Sequence, residues 1–135
     1  MADIKIFNPD GLAKPAGTYQ HVAQAKTQEV VFIAGQVPMS AAGATVGKGD
    51  FETQCAQVYA NIHTALRAVG ADWNNVVQFT SYLTRAEDAA AFRAYRGREF
   101  PKMFPGNAYP PNTLLIISRL ADPDYLLEVQ TVAAL

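Results

Sequence analysis

The chain has 135 residues, of which half are hydrophobic and 17% charged, with a net charge of −1. That length suits one domain over residues 1–135, since compact domains commonly run to roughly 100–150 residues. The scattered Lys and Arg argue against a nucleic-acid partner, which would need a basic stripe. No apolar run approaches the ~20 residues of a membrane span, so no membrane partner is expected. The lone Cys55 cannot form an intramolecular disulfide and fits a reducing compartment. Met1 to Asn8 alternates polar and apolar residues instead of forming a secretory leader, so cytoplasmic residence is the expectation.

In chain order, Lys5-Ile6-Phe7 reads as a short strand closed by the Asn8-Pro9-Asp10-Gly11 turn. Two extended runs follow, Tyr19 to Ala25 and Glu29 to Val37. The apolar, β-branched stretch Val30 to Ala34 predicts a strand buried on both faces. Ser40 to Gly49 is small, glycine-rich and loop-like. Phe51, Cys55, Val58, Ile62, Leu66 and Val69 recur every three or four residues, which predicts an amphipathic helix capped by Asp50 and stopped at Gly70.

Asn75 to Leu83 switches to strand chemistry, with Val77, Phe79, Ser81 and Leu83 on one face. Thr84 and Glu87 have capping-box spacing and predict a second helix carrying Ala89, Phe92 and Tyr95, with Pro101 and Pro105 bracketing an irregular stretch. Two closing strands, Asn112 to Leu120 and Tyr125 to Ala133, complete a β-β-β-α-β-α-β-β order. This is an α+β chain, with a sheet covered on one face by two helices. Its strands are too apolar for the other face to stay wet, which points to self-association.

Most constellations that carry chemistry are missing. His21 and His63 lack Cys or acidic residues at ligand spacing, so no metal is expected, and no phosphate-cradling glycine pattern implies a cofactor. Cys55 falls on the apolar stripe of its helix and reads as a core residue. Arg93, Arg96 and Arg98 read as a solvated helix face, and Trp73 as a packing anchor. Arg119 reads as the partner of Asp122 or Asp124. The last strand is more unusual, because Glu128 and Gln130 share one face of a segment otherwise built for burial. They are either an edge or solvent-facing row, or a polar patch in a pocket or interface needing partners such as Asn112.

Several segments, in order, resemble the Rid (YjgF-type) family. Phe32-Ile33-Ala34-Gly35-Gln36-Val37-Pro38 resembles its F/I-x-S/A-G-Q-x-P signature, and Asn107-Ala108-Tyr109-Pro110 its N-A-x-P/F-P segment. Ser118-Arg119-Leu120 and Glu128 to Ala133 resemble its closing strands. The resemblance implies a chorismate-mutase-like fold assembled as a homotrimer, with a small-molecule cleft at each subunit interface. It also implies hydrolysis of reactive imines or enamines to carbonyl compounds and ammonia.

Carried over residue by residue, Tyr19 matches the pocket tyrosine and Gly35 the glycine that lets a ligand approach the backbone. The family arginine that holds a substrate carboxylate is Asn112 here, its neighbouring cysteine is Leu114, and the last-strand glutamate is Gln130, with Glu128 matching a second acid. The implied catalytic set is Glu128, Gln130 and Tyr19, beside Asn112, Gly35, Phe32, Leu114 and Tyr109 as ligand-binding residues. Hydrogen bonds to charged groups contribute roughly 1.5–3 kcal/mol against about 1 for neutral ones. Asn112 therefore cannot replace a bidentate arginine, and Gln130 cannot accept a proton as a carboxylate does. A 2-imino acid of the usual kind is accordingly a poor candidate ligand. Three readings follow: a divergent imine or enamine deaminase, a non-catalytic metabolite-binding trimer, and a ribonuclease or translation inhibitor, for which the charge distribution gives no footing.

Overall fold

The computed structural model describes residues 2–135. Six strands and two long helices follow the expected order: β1 (Asp3–Phe7), β2 (Val22–Lys26), β3 (Val30–Gln36), α1 (Phe51–Ala68), β4 (Val76–Leu83), α2 (Asp88–Met103), β5 (Asn112–Ile116) and β6 (Leu127–Ala134). Instead of one sheet there are two, an antiparallel β1–β2 ribbon and a four-stranded sheet in the order β3-β6-β4-β5. The break falls at Thr27 to Glu29. There the Thr27 hydroxyl donates to the carbonyls of Glu29 and Leu135, and the Leu135 N–H donates to the Glu29 carbonyl. Those bonds tie the turn to the chain end, and β3 pairs with β6 rather than with β2.

The sheet residues divide by the period-two rule. On one face Leu127, Val129, Thr131 and Ala133 of β6 join Phe79, Ser81 and Leu83 of β4 beneath the helices, all fully buried. A register irregularity between Val76 and Gln78 turns Val76 inward in place of Val77. From α1, Phe51, Cys55, Val58, Ile62 and Leu66 fill the core, and Phe92, Tyr95 and Phe100 of α2 close it. Tyr59 sits at the centre, stacked on Tyr95 and edge-on to Phe79 and Phe100. Burial pushes the Cys55 thiol up to about 12, so it is an inert core group.

The caps of α1 follow the sequence. Asp50 accepts from the Thr53 N–H, and Gly70 takes φ +76° directly after the C-cap. The Thr84–Glu87 capping box does not form, because α2 begins later and Asp88 instead receives both Nε and Nη2 of Arg85. Pro101 lies inside α2 rather than bordering it, one turn from the helix end, where only the Gly97 carbonyl loses its bond. Tyr19 to His21 is irregular rather than strand. The His21 N–H donates to Asn8, the His21 ring contacts the Ala13 carbonyl, and Gln20 bonds to Tyr109. β5 stops at Ile116, whose successor Ile117 donates to the Leu83 carbonyl.

The other sheet face is open. Phe32 is 76% exposed and Val30 48%, so β3 is covered on one side only. Among the described residues, no helix is long and apolar enough to cross a membrane.

Candidate functional site

Except for Tyr109, the predicted site residues fall into two groups on opposite faces of the four-stranded sheet. The first group lies on the helix side. Gln20 donates its N–H to the Tyr109 carbonyl at 3.2 Å and accepts the Tyr109 N–H on Oε1 at 2.7 Å. That reciprocal pair fastens the irregular segment carrying Tyr19 against the chain entering β5, and so brings Tyr19 beside Asn112. Between them is a hollow of about 260 Å³ lined by Ala16, Gly17, Tyr19, Arg93, Arg96, Asn112 and Leu114. This is near the ~300 Å³ lower end of small-molecule sites.

The Asn112 side chain is held from below. The hydroxyl of Ser81, fully buried on the neighbouring strand, donates to Asn112 Oδ1 at 2.7 Å. With Oδ1 occupied, the polar group that Asn112 has left to offer is its NH₂, a donor.

Two of the three arginines of α2 lie on the expected solvated face: Arg93 is exposed, and Arg98 is exposed and pairs with Glu52 and Glu99. Arg96 is only 5% exposed, with its guanidinium carbon 4.3 Å from the Phe92 ring centroid and Nε and Nη1 buried without a partner. Burial is the main force drawing its pKa down, and the nearby positive charge of Arg93 adds to it. Sequence reading missed Arg96 because its spacing from Arg93 and Arg98 looked like surface charge. The signal was available in Phe92 and Tyr95, which fix the buried side of α2 and leave Arg96 next to it.

The second group lies on the open face. β6 is a central strand between β3 and β4, so Glu128 and Gln130 are not an edge row but, in the protomer, a row on the solvent-facing side of the sheet. Glu128 is half-buried, and Gln130 is exposed. A Cβ added to Gly35 would come within 2.7 Å of Glu128 Cδ and 2.8 Å of Oε1, so glycine is required for this carboxylate to lie across β3. Burial raises the Glu128 pKa above the usual carboxylate value. The chain after Gly35 is clamped from α1, where Asn61 Nδ2 donates to the carbonyls of Val37 and Met39 at 3.0 and 2.9 Å.

A family profile described as Endoribonuclease L-PSP matches residues 11–135. A RutC family protein of Pyrococcus horikoshii is 32% identical over 129 residues, covering 96% of each chain. One of Synechocystis is 31% identical over 133 residues, covering 98% of this chain and 97% of its own. The chain belongs to the Rid (YjgF/RutC) family. The crystal structure of the Rid family protein YyfB of Yersinia pestis, a protein of unknown function, superposes with a TM-score of 0.87 at 29% identity, over 98% of both chains.

Within this Rid fold, Tyr19, Asn112 and Leu114 come together at the hollow, and Glu128 and Gly35 come together on the other face, where Gln130 and Phe32 also lie. Tyr109 joins neither group. Its hydroxyl donates to Asn107, and its ring packs against Phe100 and Phe104. Arg119 donates to the carbonyls of Leu120 and Ala121 rather than pairing with Asp122 or Asp124, whose nearest role is in their own turn and with Lys48. Trp73 is the packing residue expected, lying between the His63 ring and Phe104. A wider hollow of about 1140 Å³, bordered by the β1–β2 ribbon, Asn75 and Phe104, contains none of the predicted site residues.

Proposed function

We propose that the protein hydrolyses a small imine or enamine to a carbonyl compound and ammonia, at clefts between the subunits of a homotrimer. In this reading the open sheet face of one copy, with Glu128 and Gly35, meets the Tyr19–Asn112 hollow of the next. The apolar exposure of Phe32, Val30 and Leu115 supports that packing, because such a patch favours a protein partner over water.

The observation that carries the reaction is Glu128 lying against Gly35 with its pKa raised by burial. A carboxylate moved toward neutrality is suited to take a proton from an attacking water and return it to the departing amine. An enamine first takes a proton at carbon to become the imine. Water then adds to the C=N carbon, and as the new hydroxyl gives up its proton to form C=O the C–N bond breaks and nitrogen leaves as ammonia. Gln130 orients the water without accepting its proton, and the Tyr19 hydroxyl faces the nitrogen end. The Gly35 backbone lets the substrate approach closely.

The test is ammonia release from an imine generated in place, measured against its free hydrolysis in buffer. Acceleration that disappears in Glu128→Gln is expected, and no acceleration by the wild-type protein overturns the reading. A second reading, a metabolite-binding trimer without turnover, draws support from the neutral Gln130 and Asn112. The ribonuclease reading has the description of the family profile behind it and no basic stripe on α2, where Arg96 is buried and Arg98 is paired.

A further inference from the structure

β3 is an edge strand of its sheet, bonded to β6 on one side only. Its register slips between Ile33 and Gln36, where the partner residues on β6 run only from Thr131 to Val129. One extra residue is therefore bulged at Ala34–Gly35, and a bulge re-aims the chain that follows it. This is also where Gly35 lies against the Glu128 carboxylate, so ladder bonds alone do not hold the backbone at the contact. The chain beyond is a small hairpin that closes on itself. Met39 is bridged to Thr45, and the Val46 N–H donates to the Pro38 carbonyl at 2.8 Å. Such a hairpin does not fix its own angle to the body. α1 does. Gln57 and Asn61 stand four residues apart and so share one side of the helix. Gln57 Nε2 donates to Asn61 Oδ1 at 2.8 Å, which leaves the Asn61 NH₂ to face the hairpin. Both hydrogens of that NH₂ are used, on the carbonyls of Val37 and Met39 at 3.0 and 2.9 Å. The remaining tie from the body to Met39 is weak, the Tyr125 hydroxyl at 3.7 Å from its sulfur.

We infer that Gln57 and Asn61 are positioning residues of this site, fixing the bulged Gly35 backbone and, through it, the place of the Glu128 carboxylate. They act on Glu128 only through the backbone of β3. Two amides are needed for a physical reason. An asparagine amide alone can turn over and exchange its donor and acceptor ends. With Gln57 bonded to Oδ1, only the donor end can face the two carbonyls. Those carbonyls follow Gly35 closely in the chain, so a shift of the hairpin is passed directly to the bulge. Misplacing a reacting group by about 1 Å can cost on the order of 10²-fold in rate. Glu128 is half-buried, and burial is what raises its pKa, so the cover that β3 supplies is readable in its titration. The consequence for turnover rests on the proposed reaction, whereas the placement of Glu128 is measurable without it.

The experiment follows the Glu128 carboxyl by NMR in the full protein made with isotope-labelled glutamate, its signal assigned by its loss in Glu128→Gln. Asn61→Leu keeps the size and charge of the side chain and removes both donors. Its Glu128 titration midpoint is expected to fall by about half a pH unit or more, as a carboxylate returned toward water does. Where the wild type turns over an imine, kcat should fall roughly 10–100-fold while KM stays within about twofold, the mark of lost alignment rather than lost binding. Gln57→Leu, which frees the Asn61 amide to turn, should move the midpoint in the same direction by less. A folded Asn61→Leu protein with the wild-type midpoint overturns the inference even if it melts at a lower temperature, because a clamp that only stabilises would behave that way. An unchanged kcat overturns it too. Should Asn61→Leu fail to fold, Gln57→Leu decides, and an unmoved midpoint there counts against the inference. A moved midpoint without imine turnover by the wild type defeats only the proposed reaction. Turnover with an unmoved midpoint in the variants defeats only this inference.

Discussion

The two faces of the four-stranded sheet are built from the same strands, residue by residue in alternation, yet they carry different tasks. Beneath the helices, Phe79, Leu83, Leu127 and Val129 are fully buried; of the buried polar side chains, Ser81 and Gln54 are hydrogen-bonded, while Tyr59, Thr131 and Arg96 carry atoms without a partner. On the open face, Phe32 is largely exposed and Glu128 rests on bare backbone at Gly35. One face supplies the stability of the protomer. The other leaves Phe32, Val30 and Gln130 exposed in the protomer. The lesson is that a strand's apolar content does not say which face the chain itself buries.

The sharpest separation of the faces is chemical. Glu128→Gln is expected to lower kcat for imine hydrolysis by roughly 10²–10⁴-fold, the usual contribution of a positioned acid–base group. Chemical denaturation should show little loss of stability. The pH dependence follows from the raised pKa. In the protomer, stability associated with Glu128 is fully present below the unfolded value near 4.5 and is lost as pH rises through the higher folded value. Glu128→Gln removes that pH-dependent part, which unfolding curves across the acid range will detect. Gly35→Ala tests the same contact from the other side, since its Cβ displaces the flexible carboxylate and lowers kcat with little cost to folding.

The next comparison sets one phenylalanine against another. Phe79→Ala should cost about 3–5 kcal/mol in urea unfolding, as expected for a large core aromatic. Phe32→Ala should leave protomer stability within about 0.5 kcal/mol, as for a surface change, while weakening self-association in light scattering. Equal effects on both quantities would break the division of the faces. A smaller effect is expected at the hollow, where Asn112→Leu strands the buried Ser81 hydroxyl and costs about 1–3 kcal/mol.

Much of the fold was legible from periodicity. The stripe from Phe51 to Leu66 and the alternation in Leu127 to Ala133 point the correct residues inward, because burial and period are set by the same geometry. What escaped was long-range. The split into two sheets depends on Thr27 and Glu29 meeting Leu135, and the irregular path of Tyr19 depends on Gln20 meeting Tyr109. No local window contains those pairs. The site was legible by type but not by grouping. Glu128 and Asn112 stood out as polar residues in apolar strands, but their placement on opposite faces required the pairing of β6 and β5 with β4. Arg96 was missed for the complementary reason: charge on a helix is ordinarily solvated, and only the packed tertiary structure shows which cation is not.

The single side-chain amide of Gln54 ties α1 to the loop at Gly47 and to the distant turn at Asp124 and Leu126. Fully buried on α1, it donates to the carbonyls of Gly47 and Asp124 at 3.1 and 2.9 Å and accepts the Leu126 N–H at 2.8 Å. Glutamate has no donors to give those carbonyls, and methionine of similar length has almost nothing to give any of the three. The Leu126 amide is therefore a built-in reporter. Its hydrogen exchange follows the docking of α1 against the loop leading into β6, and through β6 it monitors the strand that carries Glu128.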